Sequence, residues 1–162
     1  MNKHTKPIAH VIIGFIGAGK TTFAKKLERE TGAIRFTKDE WMVSIFGKDP
    51  TFKGFEQMDT RVADLAVRIA INCLRAGTDV IIDEGFWVRS QREEIRKKLE
   101  QAGGTVKMYY LKNTHETMKH RVLERNKKLT GDSFDISHEM YERYKKYFEE
   151  PAPEENCIII DN

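Results

Sequence analysis

Cysteine is scarce in this sequence: there are two in 162 residues, Cys73 and Cys157. They stand far apart and lack metal-ligand spacing, which excludes a disulfide scaffold and a cysteine-rich metal knuckle. Both read as small core residues in a reducing compartment. Proline numbers only four, and no proline-rich linker, internal repeat or low-complexity tract divides the chain, so a single domain over 1–162 is expected. No apolar run approaches membrane-spanning length. The polar stretch Met1-Asn2-Lys3-His4-Thr5-Lys6-Pro7 is not followed by a signal-type apolar region, so a cytoplasmic location is expected. The five histidines show no metal-ligand pattern. Neither sign of charge dominates: 28 basic residues against 25 acidic give +3. That balance suits a protein handling polyanionic nucleotides and does not by itself mark a nucleic-acid binder.

What is present is concentrated near the amino end. Gly14-Phe15-Ile16-Gly17-Ala18-Gly19-Lys20-Thr21 fits G-x-x-x-x-G-K-[ST], the phosphate-binding P-loop. Its glycines let successive backbone N–H groups turn toward one anion. The following helix adds its positive dipole end. Lys20 supplies a point charge for the β- and γ-phosphates, and the Thr21 hydroxyl is placed to ligate Mg²⁺. A chance glycine turn is the competing explanation. Context disfavours it, because His10-Val11-Ile12-Ile13 reads as a buried strand entering the loop. A helix leaving it begins at Thr22, with Phe23 and Leu27 on one face. Residues 14–22 are therefore the expected nucleotide-phosphate site.

Strand and helix patterns alternate along the rest. Strands are expected at about 9–13, 33–36, 79–83, 106–111 and 157–160, and helices at about 22–29, 37–46, 56–75, 90–102, 114–128 and 138–149. Thr37 with Glu40, and Ser90 with Glu93, read as capping boxes. Residues 127–135 read as a mobile polar loop. Such alternation implies an α/β fold, a five-stranded parallel sheet covered on both faces.

Further candidates lie at the carboxyl edge of that sheet, where open α/β folds bind ligands. Asp83 ends the apolar run Val80-Ile81-Ile82 and is placed to hold Mg²⁺, or else to cap the next turn. Asp39 follows the second strand. It is either a general base for an acceptor hydroxyl or an acid favouring its helix dipole. Arg121 and Arg125 form an i, i+4 pair on a basic helix, which reads either as a lid over bound ATP or as a solvated face. Arg89 and Arg92 read as surface charges in preference to anion ligands. Trp41, Trp87 and Phe86 read as acceptor-pocket lining or as packing.

Taken together, Gly14–Thr21, Thr37-Lys38-Asp39-Glu40, Val80-Ile81-Ile82-Asp83-Glu84-Gly85-Phe86 and Arg121-Val122-Leu123-Glu124-Arg125-Asn126 resemble a group of small P-loop kinases. That group is allied to the kinase domain of polynucleotide 5′-kinase, zeta toxin and chloramphenicol phosphotransferase. The segment from Phe134-Asp135-Ile136-Ser137 through Pro151 is similar to the region after the lid in this group. The resemblance implies a P-loop NTPase sandwich with a lid at about 119–137, ATP and Mg²⁺ as cofactors, and Asp39 as the acid that activates the acceptor. It implies Arg121 beside the adenine and Arg125 at the phosphates. One position departs: polynucleotide kinase carries an arginine three residues after the catalytic acid, and Met42 stands there in this chain.

The expected activity is transfer of the ATP γ-phosphoryl group to a hydroxyl of a small molecule or nucleotide, with Lys20, Asp39 and Arg125 as catalytic residues. Polynucleotide 5′-hydroxyl phosphorylation is the less favoured alternative. An acceptor-free ATPase or switch is another, since Glu84 follows the Walker-B-type acid and a glutamate there can activate water. Asn126-Lys127-Lys128-Leu129 lacks the aspartate of the N-K-x-D guanine motif. A monomer or small homo-oligomer without membrane association is expected.

Overall fold

The computed structural model describes residues 6–128, 131 and 133–161. Strand β1 (Ile8–Ile13) enters the loop before helix α1 (Lys20–Thr31). Then come β2 (Ile34–Thr37), α2 (Lys38–Phe46), α3 (Phe55–Arg75) and β3 (Val80–Gly85). The chain continues through α4 (Arg89–Gln101), β4 (Thr105–Lys112), α5 (His115–Asn126), α6 (His138–Lys145) and β5 (Ile158–Asp161). The sheet has five strands in the order β2-β3-β1-β4-β5, all paired parallel. No helix among the described residues is long and apolar enough to cross a membrane.

Strand β1 occupies the centre and is buried on both faces, which is why it reads as a near-continuous apolar run. Its alternate side chains split the core into two layers. Val11 and Ile13 pack with Ala66, Ala70 and Leu74 of α3 and Ile95 and Leu99 of α4. Ile12 joins Ala24 of α1, Met42 of α2, Met118 and Val122 of α5, and Tyr141 of α6. These two helical layers around one sheet make the expected α/β sandwich.

Both expected capping boxes are absent. The Thr37 side chain caps nothing at the start of α2, and Glu40 instead bonds Arg35 at 2.9 Å and Lys25 at 2.8 Å. Helix α4 starts one residue before Ser90, and Glu93 bonds Arg89 at 2.7 Å. In each case a nearby cation takes the glutamate that the local pattern assigned to the backbone. The segment read as a mobile polar loop is in part packed. Phe134 and Ile136 are buried, the Asn126 side chain bonds both backbone groups of Ile136, and the Asp135 N–H donates to the Lys48 carbonyl. Leu129, Thr130 and Asp132 of that segment lie outside the described residues. Helix α6 stops at Lys145, short of the expected 149.

Arg92 corrects a second reading. It is no surface charge: only 1% of it is exposed. Its Nε and Nη2 fork onto the Glu155 carboxylate at 2.6 and 2.9 Å, and its Nη1 donates to the carbonyls of Phe86 and Glu149. One side chain thus ties the turn after β3 to the segment leading into β5. Arg89 remains exposed, paired with Glu93 and Glu154. Replacing Arg92 with Leu strands a buried carboxylate, and we expect a loss of about 3–5 kcal/mol in urea unfolding. The double variant Arg92→Leu/Glu155→Leu should recover most of it, because removing both charges removes the unpaired ion. A double variant as unstable as the single one would assign the loss to packing.

Candidate active site

The loop between β1 and α1 holds its shape through a few contacts. The Gly14 N–H donates to the Gly85 carbonyl at 3.1 Å, which ties the loop to the end of β3. Phe15 and Ala18 turn inward and are buried. Gly19 caps α1 at φ 89°, with no side chain bonding the helix start. The first helical N–H groups therefore keep their ordinary lack of intrahelical partners and are available to an anion. Gly17 has φ 82°, and a Cβ added there would lie 2.3 Å from the Met118 carbonyl oxygen of α5. The basic helix thus rests directly on the loop, and only a residue without a Cβ fits the contact.

Register places the edge acid. Ile12 pairs with Asp83 across β1 and β3, so the carboxylate comes level with the loop. Asp83 is buried, and its Oδ2 accepts from the Thr21 hydroxyl at 2.8 Å and the Thr37 hydroxyl at 3.3 Å. Burial pushes this carboxyl above its usual range, while Lys20 and the hydroxyl donors pull against it. Thr37, read from sequence as a helix cap, joins the site instead. Its only advance signal is its place in Thr37-Lys38-Asp39-Glu40, just before the candidate base.

The Lys20 Nζ donates to the Phe15 carbonyl at 3.0 Å. Burial lowers its pKa, and the carboxylates of Asp83 and Asp39 oppose that, with Arg125 acting in the same direction as burial. Asp39 lies at the start of α2 with its side chain 55% exposed. Arg125 comes from α5; its Nη2 donates to the Phe134 carbonyl at 3.4 Å, and its buried Nε has no hydrogen-bond partner among the described residues. Asp83, Asp39 and Arg125, from three other segments, thus all act electrostatically on Lys20. Thr22 and Arg121 are exposed, on α1 and α5 respectively. Trp87 packs against Phe15 and Tyr144, and Trp41 against Phe36.

The residues present fit a magnesium–triphosphate ligand. The Thr21 hydroxyl and the Asp83 carboxylate are adjacent hard oxygen donors. No group of three or more His, Cys, Asp or Glu that could hold a metal occurs among the described residues. Mg²⁺ is usually bound through one or two protein oxygens, with substrate phosphates and water completing the shell, and the Thr21–Asp83 pair offers such oxygens. The unpartnered Arg125 Nε and the open α1 terminus are donors in want of an anion.

Beside this cluster lies a cleft of about 360 Å³ lined in part by Lys38, Asp59, Asp64, Glu84 and Phe86. Lys38 bonds Asp59 at 2.8 Å and lies 3.7 Å from Asp39. Burial alone would lower the Lys38 pKa, but the Asp39 and Asp59 carboxylates outweigh it and raise it. Burial pushes the Glu84 carboxyl up to about 7, with Lys38 opposing and Asp59, Asp39 and Asp64 reinforcing. Of the three aromatics read from sequence as acceptor-pocket lining or packing, Phe86 lines this cleft and Trp41 and Trp87 do not; the other walls come from α2, α3, β3 and α4.

A family model described as an AAA domain, AAA_33, matches residues 10–151. The chain belongs to the AAA_33 family. This AAA_33 protein has a P-loop kinase fold, as comparison with solved structures shows. It is similar to a sugar kinase from Janibacter sp. HTCC2649, at 20% identity and TM-score 0.69, covering 96% of this chain and 85% of that one. It is also similar to Chaetomium thermophilum Kti12 in complex with ADP-AlF3, at 17% identity and TM-score 0.72, covering 94% and 88%. A third likeness is to the Mycobacterium tuberculosis APS kinase CysC with AMPPNP and APS, at 14% identity and TM-score 0.65, covering 96% and 88%. No curated protein matches the sequence.

Proposed function

We propose that this protein is an ATP- and Mg²⁺-dependent phosphotransferase acting on an alcohol, a single domain whose lid spans about 119–137. The observation that carries this reading is the Thr21 hydroxyl bonded to Asp83 Oδ2 at 2.8 Å, next to Lys20 and the open amino end of α1. The fold likeness to a sugar kinase and to an APS kinase holding AMPPNP and APS supports it. The loop amides and Lys20 hold the triphosphate, and Lys20 and Arg125 counter the charge on the transferring group. When bound, Mg²⁺ would be held by Thr21 and Asp83 and would further neutralise the phosphate oxygens. The acceptor oxygen forms a bond to the γ-phosphorus, and the bond from that phosphorus to the β,γ-bridging oxygen breaks. The hydroxyl proton passes to Asp39, and ADP leaves. The exposed Asp39 side chain is where an incoming alcohol can reach it. Polynucleotide ends are disfavoured, because Met42, at the position of the departing arginine, is fully buried and presents no charge.

Asp39→Asn keeps the size of the side chain and removes the base. We expect kcat to fall by about 10²–10⁴-fold, with ATP affinity by calorimetry unchanged. Near-normal transfer by this variant would remove Asp39 from the mechanism.

A further inference from the structure

The charge pattern of the cleft beside Asp39 bears on what the acceptor is. Its lining includes four carboxyl residues, Asp59, Asp64, Glu84 and Glu94, and two lysines, Lys38 and Lys98. Both ammonium groups are already engaged. Lys38 is held by Asp59 at 2.8 Å and faces Asp39, and Lys98 is held by Glu94 at 2.6 Å. Asp64 and Glu84 have no salt-bridge partner among the described residues, and the buried Glu84 Oε1 has no hydrogen-bond partner at all there. The Thr60 hydroxyl spends its proton on the Glu56 carbonyl and keeps its lone pairs. What remains unused on these walls is mostly hydrogen-bond acceptors, with the Gln91 amide N–H groups as donors beside them, and among the described residues both lining lysines are paired.

A phosphate or sulfate entering such a cleft would meet unpaired carboxyl groups, and to gain a counter-charge it would have to compete with Asp59 for Lys38 or with Glu94 for Lys98. An alcohol rich in O–H or N–H donors would satisfy acceptors that are otherwise left wanting. The volume of about 360 Å³ lies at the small end of ligand pockets. Phe86, in the left-handed conformation at φ 45° and with its carbonyl fixed by Arg92, adds an apolar wall.

We propose that the phosphoryl acceptor is a small, donor-rich alcohol that carries no anionic group, either a polyol or an aminated sugar or alcohol. The inference rests on the kinase reading for placing the acceptor beside Asp39. The cleft selects against phosphorylated sugars, nucleotides and oligonucleotide ends.

The test is a binding experiment on the full chain loaded with a non-hydrolysable ATP analogue. Erythritol, D-glucose, ethanolamine and D-glucosamine are compared with glycerol 3-phosphate, glucose 6-phosphate and a 5′-hydroxyl dinucleotide carrying a 3′-phosphate. Amide shifts of residues 59–67 and 84–95 report occupancy, and ADP release with ATP reports transfer. At least one uncharged or amine-bearing compound should move these amides, with every anionic one at least about tenfold weaker. Polyol against amine affinity identifies which donor the cleft receives. Asp64→Lys should narrow the gap between glucose and glucose 6-phosphate by about tenfold. An anionic compound bound as tightly as any other, no shift from any non-anionic compound, or an unchanged gap in Asp64→Lys would each overturn the proposal. Binding of a polyol or amine without ADP release would remove the kinase reading, and the acceptor role with it, while leaving the cleft's preference for uncharged or amine-bearing donors standing. Phosphorylation of an anionic acceptor would do the reverse.

Discussion

Gly17→Ala should unfold at markedly lower urea concentration and lose ATP affinity together. The added methyl would lie 2.3 Å from the Met118 carbonyl oxygen and 2.9 Å from Val122 Cγ2, in a residue held at φ 82°. Holding alanine in the left-handed region costs roughly 1–2 kcal/mol, and forcing an extra carbon into a packed contact adds about 1–3 kcal/mol. Backbone of α5 cannot swing aside as a flexible side chain would, so either the helix retreats or the loop flattens. Both responses pull the loop amides out of their shared orientation. Gly32→Ala is the internal control, because its φ is 72° and its added Cβ would meet nothing within 4 Å. That variant should show the backbone cost alone. Equal destabilisation of the two would mean that α5 does not rest on the loop.

Lys20→Ala should separate catalysis from stability in the opposite way. Transfer should fall by about 10²–10³-fold or more, equivalent to roughly 3–4 kcal/mol of lost transition-state stabilisation. The melting temperature should hold or rise. Burial is the main influence on Lys20 and disfavours its charged form, so the folded protein gains little from keeping an ammonium there. A group retained at such cost is one used for function. Asp83 loses the cation that opposes its raised pKa, but it keeps the Thr21 and Thr37 hydroxyls. A steep loss of stability with transfer preserved would recast Lys20 as a structural residue.

The parts of this protein that were legible in the sequence are those whose chemistry is local. The P-loop encodes its own turn, cation and helix start within eight residues, and the central strands encode burial on both faces as unbroken apolar runs. Asp83 was legible because strand β3 is apolar up to it and register then carries it to the loop. Readings failed where a distant partner outcompeted a local one. Glu40 and Glu93 fit capping boxes by spacing, yet Arg35, Lys25 and Arg89 took them. Arg92 looked like surface charge because its partner, Glu155, is 63 residues away. Lys38 was passed over for the same reason, since Asp59 reaches it from the next helix. Phe134 and Ile136 sit in a polar stretch; Phe134 packs on Phe55 of α3 and Ile136 is held by Asn126 of α5, contacts that no local period announces.

The measurement that tests the central claim most directly is the fate of the γ-phosphoryl group in ¹⁸O-labelled water. The enzyme is given Mg-ATP and the alcohol that best occupies the cleft, and the products are resolved by mass spectrometry. Transfer assisted by Asp39 predicts phosphate on the alcohol, free of ¹⁸O, formed in step with ADP. Inorganic phosphate carrying ¹⁸O, released at the same rate with or without the alcohol, would make water the acceptor and contradict the account.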